Sequence, residues 1–178
     1  MKNNIWKWIL IVALALGTLF IIYESRQIFM EKPFKVVTLH KESLVINETK
    51  IPYLDTIVHL GLAELHIPKT LVMIRTLDPS QAMSDSGLEI KAYVIEEKGQ
   101  YLIFIQSMDR KESLLVLSHE MIHIAQFYLG DVKVMNKGIL WKKEALISMD
   151  TPYEQRPWEI EAFALQGELN KRLSKQLY

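Results

Sequence analysis

The chain is 178 residues long, 49% hydrophobic, and its 21 Lys and Arg balance its 21 Asp and Glu. With no net positive charge to neutralise phosphates, nucleic acid is excluded as the expected partner. The absence of cysteine removes disulfides and thiolate metal ligands; it agrees with an exported domain without requiring one.

Residues 1–5 read as a short tail before an apolar segment. Trp8 through Tyr23 carries no charge, and the stretch 6–23 approaches the ~20 residues needed to cross a bilayer. Trp6, Trp8 and Tyr23 stand at its two ends, where aromatic belts belong. Lys2 and Lys7 precede it, as in a signal peptide, but Tyr23-Glu-Ser-Arg is a poor cleavage site, so an uncleaved single-pass anchor is expected. A short basic tail on the cytoplasmic side would place the domain outside the cytoplasm. Residues 24–35 read as a tether, and 36–178 as one domain with room for a real core.

Within that domain Val36–Leu39 suits a short strand. Asp55 to His66, with Ile57, Val58, Leu62 and Leu65 on one side, suits an amphipathic helix ended by Pro68. Leu71–Arg75 is strand-like. After a polar loop over 78–87, the alternating runs Ile90–Ile95 and Tyr101–Gln106 flank Glu-Glu-Lys-Gly-Gln and signal a hairpin. His40, His59 and His66 read as bystanders.

The most informative run is His119-Glu-Met-Ile-His123. Positions four apart stack on one helical face, so His119 and His123 can offer two imidazole nitrogens to one ion, with Glu120 beside them. Zinc accepts such donors plus a carboxylate and keeps a position for water, which it acidifies. Glu120 is then suited to act as general base. Asp109 with Glu112 forms a capping box at the start of the helix, and Gly130 is a stop. Between them the sequence is apolar on every side except at the motif, which marks a buried helix. Three ionisable groups are costly to bury there unless something binds them, and one Zn2+ per chain is expected.

Val132–Met135 and Ile139–Trp141 suggest a small hairpin across Asn136-Lys-Gly. Pro157 then opens a second long helix, whose apolar stripe is Trp158, Ala162, Leu165 and Leu169. Glu161 lies at the edge of that stripe, whereas Glu159 points with Phe163 and Gly167. On that periodicity Glu161 is the expected third zinc ligand, and the enzyme reading depends on its carboxylate meeting the imidazole pair. The pattern of elements predicts an α+β domain: a small mixed sheet packed on the zinc-binding helix and the C-terminal glutamate helix.

The His-Glu-x-x-His helix followed by Glu161-Ala162 resembles the gluzincin metallopeptidases, the thermolysin-like clan, and its small size is more similar to the minimal single-domain members. The likeness spans roughly residues 70–170. It implies His119, His123 and Glu161 as ligands, Glu120 as general base, and a peptide or protein substrate. It also implies an edge strand lining the cleft, for which Tyr101–Gln106 is the candidate. Two departures stand out. The larger members carry an aspartate four residues after the ligand glutamate, where this chain has Leu165. Their oxyanion-stabilising residue sits on a C-terminal subdomain; here Tyr153 or Arg156 is the candidate. The reading is a membrane-anchored zinc peptidase, with a catalytically silent zinc- or peptide-binding module as the alternative. Substrate identity and oligomeric state are not legible.

Overall fold

A computed structural model describes residues 43–83 and 89–178. The expected tail 1–5, anchor 6–23, tether 24–35 and strand 36–39 lie outside the described residues, as does His40. Among the described residues no helix is long and apolar enough to cross a membrane.

Among the described residues the expected α+β architecture is present, with three helices and two sheets. Strand β1 (Leu44–Asn47) leads through helix α1 (Tyr53–Glu64) to β2 (Leu71–Thr76). Strands β3 (Ala92–Glu97) and β4 (Gln100–Ile105) form the expected hairpin, turning over Lys98 and Gly99, both at positive φ (54° and 77°). Two left-handed residues in a two-residue loop match the twist of the strands they join. The four-stranded sheet has the order β1-β2-β4-β3, parallel except for the β3–β4 pair. Strand β1 carries no strong sequence signal; its pairing beside β2 makes it a strand.

Strand β4 therefore lies between β2 and β3, and among the described residues the edge strands of this sheet are β1 and β3. The expectation that Tyr101–Gln106 lines a cleft as an edge strand is corrected: parallel pairing with β2 occupies the side of β4 that a hairpin leaves open. Lys91 accepts from the Gln106 amide, so the alternation of an antiparallel ladder turns the backbone groups of Ala92, Val94 and Glu96 away from β4.

One face of the sheet buries Val72, Ile74, Tyr101, Ile103 and Ile105 against Leu54, Ile57, Val58 and Leu62 of α1 and against helix α2 (Arg110–Leu129). Gly61 lets α1 come close to α2, since a Cβ there would lie 3.1 Å from Met121 Cγ. Helix α2 begins as its sequence signals: Asp109 accepts from the Glu112 amide at 2.8 Å, and Gly130 ends it with φ 72°. The reciprocal half of the capping box is absent, because the Glu112 carboxylate instead pairs with Lys91.

After α2 a three-stranded sheet, β5 (Val132–Met135), β6 (Gly138–Trp141) and β7 (Ala145–Ile147), enlarges the expected small hairpin by one strand. A short 3-10 turn over Tyr153–Gln155 precedes helix α3 (Pro157–Leu177), with Pro157 in its first turn. Its stripe of Trp158, Ala162, Leu165, Leu169 and Leu173 is buried, and α2 is its main packing partner. Each buried Leu or Ile contributes about 1.5–3 kcal/mol, so this apolar interior suffices to hold α2 and α3 together.

Candidate metal centre

Within that interior sit His119, Glu120, Glu159 and Glu161, all buried. A buried ion pair at best roughly offsets its own desolvation, so stability alone does not account for so many ionisable groups. Successive turns of α2 bring the two imidazoles edge to face, with ring centroids 4.7 Å apart and planes at 85°. Their Nε2 atoms approach to 3.1 Å. The Glu159 Oε2 stands 3.2 Å from His119 Nε2 and 3.3 Å from His123 Nε2. Tetrahedral zinc with ligands at about 2.0–2.1 Å separates its donor atoms by about 3.3–3.4 Å. The triangle fits a single ion with little adjustment.

The back of each ring is anchored. His119 Nδ1 lies 3.0 Å from Gln166 Oε1, and His123 Nδ1 lies 2.8 Å from Gln126 Oε1. Amide oxygens only accept, so each Nδ1 donates and each Nε2 is directed into the cluster, the tautomer a metal ligand needs. Phe163 packs on the His119 ring at 4.6 Å between centroids.

The carboxylate that meets the imidazole pair is that of Glu159, not Glu161, so the enzyme reading in the form that depends on Glu161 fails and only one resting on Glu159 remains. Glu161 is buried but faces elsewhere: its carboxylate accepts from Gln126 Nε2 at 3.0 Å and from Lys142 Nζ at 2.8 Å. The correction has a geometric cause. At roughly 100° per residue the two glutamates fall on opposite margins of the same apolar stripe, and periodicity does not say which margin meets the imidazoles. The expected side for Glu159, shared with Phe163, was right; that side is where the histidines lie. Gln166, seven residues after Glu159, returns to the same margin, and that polar i, i+7 pair was the available signal.

Electrostatics follow from this arrangement. Burial disfavours the Glu159 carboxylate, but the contacts with His119 and His123, with help from Tyr153, hold it far below the ordinary range. Burial likewise opposes charge on His123, yet the Glu159 hydrogen bond and the Glu120 and Glu159 charges raise it to about 9. A proton thus sits where a cation fits. Burial pushes Glu120 upward, opposed by the two histidines and by a hydrogen bond from the Val94 backbone of edge strand β3.

No family model, curated protein or solved structure matches the chain. The reading of the centre rests on its own geometry.

The two oxyanion candidates separate. Tyr153 sits beside the cluster with its hydroxyl toward Glu159; burial and that carboxylate raise it strongly. Arg156 is turned away, with Nε donating to the Thr151 carbonyl at 3.0 Å and Nη2 to that of Met149 at 3.3 Å. It braces the turn before α3. His59 and His66, on α1 and the turn after it, lie outside the metal-capable group of His119, His123 and Glu159.

Proposed function

We propose that this chain is a zinc-dependent peptidase resembling the minimal gluzincins, with His119, His123 and Glu159 as ligands. The observation that carries this reading is the three-atom triangle with sides of 3.1, 3.2 and 3.3 Å. Zinc held there supplies Lewis acidity and lowers the pKa of water. Glu120 takes a proton from the attacking water and returns it to the leaving amine; its upward shift moves a carboxylate toward the range where both transfers are efficient. Tyr153, whose hydroxyl faces Glu159, is the nearest phenol to the cluster and would serve a developing oxyanion by exchanging that carboxylate for the substrate oxygen. An extended substrate pairs with the outward backbone groups of β3, whose Val94 already contacts Glu120. Membrane anchoring by residues 6–23, with the domain outside the cytoplasm, is proposed on the sequence alone.

The test is Glu120→Gln. Purified protein should contain one zinc per chain and cleave a denatured protein; the variant should keep the zinc and lose cleavage. Retained cleavage removes the mechanism. Full zinc occupancy in the wild type without cleavage of any substrate favours the binding module instead.

A further inference from the structure

Gln126 is wholly buried, and its amide is committed on both sides. Nε2 donates to the Trp158 carbonyl and to Glu161 Oε2, each at 3.0 Å. Both partners only accept, so the amide has one possible orientation and Oε1 must face His123 Nδ1, 2.8 Å away. The tautomer of His123 is therefore decided by groups on α3. A carboxylate that accepts from an amide N–H also polarises it and makes its oxygen the stronger acceptor. A stronger acceptor at Nδ1 makes Nε2 the better donor to a cation.

On the far side, Lys142 Nζ lies 2.8 Å from Glu161 Oε1. It stands on the turn between β6 and β7, its side chain 35% exposed against 7% for Glu161. Asp131 and Lys143 are the other charged groups in this neighbourhood. The resulting chain runs His123, Gln126, Glu161, Lys142.

We propose that Glu161 is a positioning residue: acting through Gln126, it fixes the tautomer of His123 and strengthens that ligand, while Lys142 attenuates the effect. Glu161 is thereby an indirect carboxylate for a metal histidine that touches only an amide. The proposal rests on the metal-centre reading above, and its test separates the two.

Charge relay and mere bracing predict different signs. Glu161→Gln keeps the shape and removes the negative charge; Lys142→Met keeps the stem and removes the positive one. Zinc affinity is measured at pH 8 by competition with a chromophoric chelator, with the melting temperature of the stripped proteins confirming folding. E161Q should weaken zinc about three- to tenfold, below the 10–100-fold typical of a direct partner of a ligating histidine. K142M should tighten it by about threefold. Shifts in the same direction, or none beyond twofold in a wild type that binds one zinc, overturn the proposal and leave the metal centre standing. A wild type that binds no zinc removes the metal reading itself. Nitrogen-15 spectra of stripped protein above pH 10, where the ring is neutral, give a metal-free readout: His123 should be in the Nδ1–H form, and the Nε2–H form overturns the proposal.

Discussion

Two glutamates on one helix, two residues apart and equally buried at 7% exposure, meet opposite surroundings. Glu161 faces a lysine and an amide donor, so its charge is answered within the fold. Glu159 faces two imidazoles and a phenol, and in the absence of a cation it needs a proton shared with His123. A carboxylate completed by its own protein belongs to the framework. One completed only by something added belongs to a site. The margin of α3 that carries Glu159 is therefore the one that can hold a metal ion, and the margin that carries Glu161 packs behind it.

The sharpest way to break this contrast is to remove each carboxylate in turn. Glu159→Ala should cost well over ~100-fold in zinc affinity, beyond what loss of an outer partner costs. Glu161→Gln should stay within the ~10-fold described above. Equal losses, measured by the same chelator competition, would mean that the two margins are not distinct.

The turn before α3 carries the same contrast on a smaller scale. Tyr153 reaches the Glu159 side and Arg156 reaches the backbone of residues 149 and 151. Tyr153→Phe should lower kcat about 100-fold with zinc retained, the scale of losing one oxyanion donor. Arg156→Ala should leave kcat within about twofold and lower the melting temperature instead. A kcat loss in the arginine variant alone would reverse the assignment.

Where residues carry their own periodicity or capping chemistry, sequence and structure agree. Asp109 and Gly130 bound α2, Pro157 opens α3, and the stripe from Trp158 to Leu169 is buried as its spacing implies. His119 and His123 meet because a single helix brings them together. What depends on the meeting of separate elements was not legible. Two strands can share a hairpin while either one forms the edge, so β4 and β3 exchange roles. Two glutamates can flank one stripe while only one faces α2. Gln126 and Gln166 escaped notice because a glutamine on a helix is ordinary until a histidine is found beside it. The Glu-Ala phrase at 161–162 pointed to the wrong margin, since Ala162 is buried in the stripe whichever neighbour binds metal.

The mildest test uses protons against metal. In metal-free protein His123 is raised from 6.5 to about 9: burial opposes the charge, but Glu159 and Glu120 overcome it. A group raised on folding stabilises the native state fully below its unfolded value. That contribution is lost as pH rises through the folded value, here between about 6.5 and 9. Zinc requires the neutral ring, so each bound ion displaces this proton, and affinity should climb about tenfold per pH unit over the same window before flattening. The two effects have opposite signs. Melting curves in excess chelator should fall from pH 6.5 to 9, while the added stability given by zinc widens. Asn in place of Glu159 should flatten both trends, because the proton on His123 is held chiefly by that carboxylate; Gln in place of Glu161 should leave the window where it is. A gap between the zinc and chelator curves that stays constant across this range would show that proton and metal do not compete for one place.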